Sequence, residues 1–161
     1  MFSHLDADNQ PTMVDVGGKP VTRRSAQARA RILLPEVVRA GLAGGELHTP
    51  KGPVFQTAII AGTMAAKRTH ELIPFCHPLP LDAVKIAIRM AEDGHAVIDC
   101  QVRVEHRTGV EMEALTGAAI AALTIYDMCK ALSHDMVISE VRLLAKTGGK
   151  GDSGVATPAH G

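Results

Sequence analysis

TGVEMEALTGAAIAALTIYDMCKAL, residues 108–132, is the stretch whose reading decides the fold. It holds no proline. Thr108-Gly109 can cap a helix that carries Glu111 and Glu113 in its first turn, where the helix dipole favours negative charge. Such a helix would be about 33 Å long at ~1.5 Å per residue. Residues 114–126 are apolar nearly all the way round, the pattern of a helix buried inside a protein rather than lying on its surface. Glu113, Thr116, Gly117, Thr124, Asp127 and Lys130 recur at intervals of three and four or their multiples, which predicts one shared face. A carboxylate and an amine three residues apart at the end of a buried helix are either an intrahelical ion pair or part of a site. Burial favours the site, because groups displaced in pKa by such surroundings cluster at active centres. Asp127 would then take a proton and Lys130 would give one up.

Outward from this helix the pattern changes to alternation. Ala26, Ala28, Ala30, Ile32 and Leu34 interleave with Gln27, Arg29, Arg31 and Leu33, which predicts a half-buried strand. Val84, Ile86, Ile88 and Met90 alternate with Lys85, Ala87 and Arg89 in a second. Asp93-Gly94 then signals a hairpin turn into Ile98, Cys100, Val102 and Val104. Val141, Leu143 and Ala145 mark a last strand. After the first strand, Pro35 suits the start of a short helix that Gly44-Gly45 would end, and residues 48–53 read as a loop. The Ala-rich residues 54–72 predict a helix, and three prolines in IPFCHPLPL, residues 73–81, exclude regular structure there.

The resulting order, β-α-α-β-β-α-β, predicts an α+β, ferredoxin-like layout: an antiparallel sheet with helices on one face. Residues 1–12 read as a flexible N-terminal tail, 13–150 as a single domain and 151–161 as a flexible C-terminal tail. Both long helices are rich in small apolar residues, from which packing between subunits is expected.

A net charge of zero argues against a bulk nucleic-acid or membrane binder, since both need a basic surface. No apolar run reaches membrane length, and the first residues lack the pattern of a signal sequence. Cys76, Cys100 and Cys129 are odd in number without CxxC spacing, so they read as free thiols in a reducing, cytoplasmic setting.

Cations recur in the irregular segments: Arg23 and Arg24, Lys51, Lys67 and Arg68, and Lys146 with Lys150 in KTGGKG. Glycines beside lysines let backbone N–H groups approach an anion closely. KTGGKG follows a strand but opens no helix, so it is not a P-loop, and a solvated chain end is its bland alternative. Cys76-His77 between Pro74 and Pro78 invites a metal hypothesis, but neighbours in an extended segment point to opposite sides and poorly share one ion. His77 donating hydrogen bonds to an anionic ligand is the stronger reading, set against a histidine fixed by prolines in a structural loop.

At these residues the chain resembles a known family. TGVEMEALT, LTIYDMCKA, LIPFCHPLPL, AAKRT, MVDVGGK and LLAKTGGK together look like the molybdenum cofactor biosynthesis protein C family, the cyclic pyranopterin monophosphate synthases. The resemblance implies a ferredoxin-like subunit in a homohexamer, a trimer of dimers, with the site between subunits. It implies a lyase that converts a cyclised dihydro-GTP into cyclic pyranopterin monophosphate and pyrophosphate. No cofactor is expected, since expelling pyrophosphate needs positive charge at the leaving group and several lysines could supply it without a required metal. It further implies that Asp127, Lys130 and Lys51 are catalytic. Phe75, Cys76, His77, Met112 and Glu113 match its substrate-binding positions, and Lys146 and Arg24 match positions expected to meet phosphate. Pro53, His70 and Gly151 depart from the family pattern, none at a catalytic position. A binding module for a nucleotide polyphosphate is the alternative; it would use the same cations without needing Asp127 ionisable.

Overall fold

A computed structural model of the chain describes residues 4–154. Four long strands form the frame: β1 (Thr22–Leu33), β5 (Ala83–Met90), β6 (His95–His106) and β7 (Val137–Thr147). With the short β8 (Ser153–Gly154) they make one sheet in the order β5-β6-β1-β7-β8, every neighbouring pair antiparallel. Taking the four long strands alone, the order is second-third-first-fourth, and the fold is ferredoxin-like. The alternation read in β1 holds: Ala26, Ala28, Ala30 and Ile32 are buried and stand opposite Val102, Cys100, Ile98 and Ala96 of β6 on the same side.

Two long helices, α2 (Val54–Lys67) and α4 (Glu111–Cys129), cover that side. They approach closely through glycine. A Cβ on Gly62 would sit 2.6 Å from the Gly117 carbonyl oxygen, and one on Gly117 would sit 2.7 Å from Cys100 Sγ in the sheet. The small residues of both helices are therefore used inside the subunit, to bring helix to helix and helix to sheet. Ile60 and Met64 of α2 and Met112 and Leu123 of α4 are the large apolar side chains these helices leave exposed in the single chain. By length and composition alone α4 would suffice to cross a membrane. More than half of it is buried within the fold, as in the core helix of a soluble protein.

The region between β1 and α2 differs from expectation. The helix after Pro35 is one turn, α1 (Glu36–Arg39), and Gly44-Gly45 do not end it. They form instead the turn of a hairpin between β2 (Leu42–Ala43) and β3 (Glu46–Thr49), with φ of 58° and 79°, left-handed values that glycine adopts freely. The expected loop at residues 48–53 is a second hairpin: β3 pairs with β4 (Gly52–Pro53), leaving Pro50 and Lys51 at its tip. Residues 54–72 are helical but break at Arg68 (φ −116°, ψ 18°), after which α3 (Thr69–Leu72) takes a new direction.

The register of β7 against β1 shifts twice, between Gln27 and Ala28 and between Arg31 and Ile32. Ala28 pairs with Leu143, but Gln27 pairs with Ala145 and Ala26 with Lys146, so Leu144 is the extra residue. Strict alternation from Leu143 would have turned Lys146 away from the helices; the bulge turns it toward them, opposite buried Ala26. Near the N-terminus, Leu5 bridges to Pro11, and Asp6 Oδ1 accepts the N–H groups of Asp8 and Gln10. Residues 1–3 and 155–161 of the expected tails lie outside the described residues.

Candidate active site

Three of the sequence-predicted residues converge at the C-terminal end of α4. Lys130 Nζ lies 2.7 Å from Asp127 Oδ1, and Lys51 Nζ lies 3.2 Å from Asp127 Oδ2 and 3.3 Å from the Asp127 backbone oxygen. Lys51 arrives on the β3–β4 hairpin, 76 residues away in the chain. The last carbonyls of a helix lack intrahelical partners and carry the negative end of its dipole, so two ammonium groups at this terminus are electrostatically placed. Lys130 first, then Lys51, holds the Asp127 carboxyl below the usual carboxylate range, and Asp127 in turn raises Lys130 above the usual lysine value. The free chain thus holds a carboxylate able to accept a proton between two ammonium groups.

One expectation fails here. The side chains of Asp127, Lys130 and Lys51 are each about half exposed in the single chain, not withdrawn from solvent. The row read along α4 drifts around the helix: Glu113 and Gly117 are buried, whereas Asp127 and Lys130 have rotated outward by the last turn. The exposed geometry follows from 3.6 residues per turn, which turns such a row steadily over four turns.

The buried carboxylate lies at the other end. Glu113, 3% exposed, accepts a hydrogen bond from the Cys76 thiol at 3.4 Å. Burial raises the Glu113 carboxyl, and burial, then the Glu113 charge, pushes the Cys76 thiol up to about 12. Cys76 is therefore a thiol donor, the opposite of what a thiolate ligand or nucleophile requires. Thr108-Gly109 does not cap α4: Val110 occupies the cap position without a side-chain hydrogen bond, and in the first turn Glu111 pairs with Lys146 at 3.3 Å. His77 Nε2 lies 2.7 Å from the Val14 carbonyl oxygen, so it donates there and ties down the segment that follows Met13. The structural role weighed for His77 is realised through that nitrogen; Nδ1 remains for a ligand.

Phe75, Cys76, His77, Met112 and Glu113 line one cavity of about 520 Å³, together with Lys19. A second hollow of about 450 Å³ adjoins it through Lys19, Gly109 and Glu111, and holds Arg24, Lys146 and Lys150. Here the KTGGK turn folds over Arg24. Gly148 and Gly149 have φ of 90° and 72°, and a Cβ on them would meet the Arg23 carbonyl oxygen at 2.4 Å and Arg24 Nη1 at 2.5 Å. An apolar slot beside a basic hollow fits a planar ring joined to phosphates. Lys19, which joins the two, was missed in the sequence; its signal was a lysine directly after Gly17-Gly18, the pattern already noted in KTGGKG.

The single chain does not bring all these residues together. Glu113 and Asp127 sit near opposite ends of one helix, about 21 Å apart along its axis at 1.5 Å per residue. Lys51, Asp127 and Lys130 form one cluster, and Phe75, Cys76, His77, Met112, Glu113, Arg24 and Lys146 surround the other; His77 does not share a cavity with Lys51 within a subunit.

The MoaC family model matches residues 13–149. A cyclic pyranopterin monophosphate synthase of Xanthomonas oryzae pv. oryzae is 59% identical over 155 residues, which cover 96% of this chain and 94% of that protein. One from Xanthomonas campestris pv. campestris is 58% identical with the same coverage. A molybdenum cofactor biosynthesis bifunctional protein of Synechocystis is 47% identical over 165 residues, which take in all of this chain and 47% of that protein. With the match spanning both clusters and the helix that carries them at its two ends, the chain belongs to the MoaC family.

Proposed function

We infer that the chain is a cyclic pyranopterin monophosphate synthase, a lyase of molybdenum cofactor biosynthesis. It converts (8S)-3′,8-cyclo-7,8-dihydroguanosine 5′-triphosphate to cyclic pyranopterin monophosphate and releases pyrophosphate. The observation that carries this reading is the meeting of Lys51 with the Asp127–Lys130 pair, in a chain 59% identical to a synthase over almost its whole length. Opening the five-membered ring of a purine and rebuilding it as a pterin is a series of proton transfers. An ionised Asp127 and a protonated Lys130 start in the states that a base and an acid need.

The substrate ring occupies the slot of Phe75, Met112 and Glu113, and its triphosphate lies toward Arg24, Lys146 and Lys19, whose charge offsets that of the departing pyrophosphate. Since that slot and the catalytic cluster are at opposite ends of α4, a working site takes one end from each of two subunits. A homo-oligomer built on such shared sites, a hexamer of three dimers, accounts for half-exposed catalytic groups in the lone chain: the partner covers them. Free thiols at Cys76, Cys100 and Cys129 suit a reducing cytoplasm. The test is incubation of the purified protein with the cyclised dihydro-GTP. Formation of the pterin product and one pyrophosphate per turnover is expected; a stable complex without product would make the chain a binding module.

A further inference from the structure

Lys51 lies at the tip of a two-strand hairpin, β3–β4, that belongs to no large sheet. A tip of that kind is mobile unless something anchors its base. The anchor is Glu46, the first residue of β3. Its Oε1 accepts the N–H groups of Leu47 and Phe55, each at 2.7 Å, and its Oε2 accepts that of Gln56 at 3.0 Å. Phe55 and Gln56 are the second and third residues of α2, whose N–H groups have no partner within the helix. A cap side chain ordinarily satisfies them, but the cap position here is Pro53, which has none to offer. Glu46 therefore supplies, from across the hairpin, the carboxylate that the helix end lacks, at the positive end of the α2 dipole.

The consequence for Lys51 is geometric. The hairpin's second strand, Gly52–Pro53, runs straight into α2, so Glu46 ties the first strand to the same helix and closes a rigid loop around the tip. Within the loop Lys51 N–H donates to Thr49 Oγ1 at 3.2 Å. α2 is packed against α4, which carries Asp127 and Lys130. We propose that Glu46 is the positioning residue for Lys51, holding its ammonium on Asp127 by clamping the hairpin to the N-terminus of α2. This rests on the synthase reading only in giving Lys51 a catalytic task.

The test uses the full-length protein with Glu46→Ala, the isosteric Glu46→Gln, and Glu46→Ala combined with Pro53→Asp, which returns a carboxylate to the cap position itself. Titration of the Asp127 carboxyl by ¹³C NMR reads positioning without turnover. It should move upward in Glu46→Ala, because Lys51 no longer lowers it, and return in the double variant. Turnover of the cyclised dihydro-GTP should fall about 10- to 100-fold in kcat with KM little changed, as expected for a displaced catalytic group, and recover with Pro53→Asp. Should Glu46→Ala fail to fold, Glu46→Gln gives the same readings at smaller amplitude. An unchanged Asp127 titration, or a kcat loss explained by a lowered Tm alone, overturns the proposal. A wild-type protein that makes no pterin overturns the synthase reading, while the titration still decides the role of Glu46.

Discussion

Lys51 touches Asp127 at two places, the carboxylate oxygen Oδ2 at 3.2 Å and the backbone oxygen at 3.3 Å. One ammonium thereby holds both the side chain and the helix terminus of the residue on which the proposed chemistry turns. Lys130, at 2.7 Å from the other carboxylate oxygen, completes a three-residue cluster drawn from two distant parts of the chain.

Asp127→Asn keeps the shape of that cluster and removes the proposed base. Turnover should fall about 10²- to 10⁴-fold, the usual worth of a general base, while equilibrium binding of the cyclised dihydro-GTP stays within a few-fold of wild type. Product formation and calorimetric binding measured on the same preparation check both halves.

The pH dependence follows from the same contacts. As the proposed base, Asp127 works as a carboxylate, so activity should be lost as pH falls through its pKa in the folded protein, and the depressed pKa should place the acid limb of kcat/KM below the ordinary carboxylate range. Lys130 is the largest cause of that depression. In Lys130→Ala the residual activity should therefore show an acid limb displaced upward in pH, measurable in the kcat/KM profile. A limb that does not move means that another group titrates.

The proposed sharing of one site by two subunits has a direct consequence in mixtures. Asp127→Asn and Glu113→Gln chains, each nearly inactive alone, should regain partial activity when unfolded together and reassembled, because some interfaces then carry two intact halves. Recovery is read as pterin formation against each variant refolded separately. No recovery is expected if one subunit holds the whole site.

The thiol of Cys76 should resist alkylation at pH 8, since burial and the Glu113 charge push its pKa to about 12 and the thiolate is the reactive form. Glu113→Gln removes the charge but not the burial, so the rate should rise only modestly. Mass spectrometry of the Cys76 peptide after timed labelling measures it, with buried Cys100 as an unreactive reference.

At Gly62 the fold tolerates no added methyl. A Cβ would stand 2.6 Å from the Gly117 carbonyl oxygen and 2.6 Å from Ile86 Cδ1, and the backbone atom cannot move aside without parting α2 from α4. Gly62→Ala should destabilise the protein by about 1–3 kcal/mol, the usual cost of overpacking a tight interior. Denaturant midpoints at unchanged m-value check it.

The sequence by itself determined the frame. Strict alternation in β1, β5 and β6 and the apolar run of α4 each match a repeat set by local backbone geometry, so strand, helix and buried face follow from spacing alone. The candidate site residues were legible too, as charges in otherwise apolar or glycine-rich surroundings. Tertiary structure alone decided how they meet. No local rule shows that Lys51 reaches a helix end 76 residues away, that a bulge at Leu144 turns Lys146 to the helix side, or that Glu46 replaces the cap that Pro53 lacks. The expected burial failed at the end of α4 because the row drifts at 3.6 residues per turn, and only the packed neighbours show which direction is covered once Asp127 and Lys130 have turned off the buried face. Distance between groups far apart in the chain is a property of the packed fold, and that packing brought the Lys51 ammonium to 3.2 Å from Asp127.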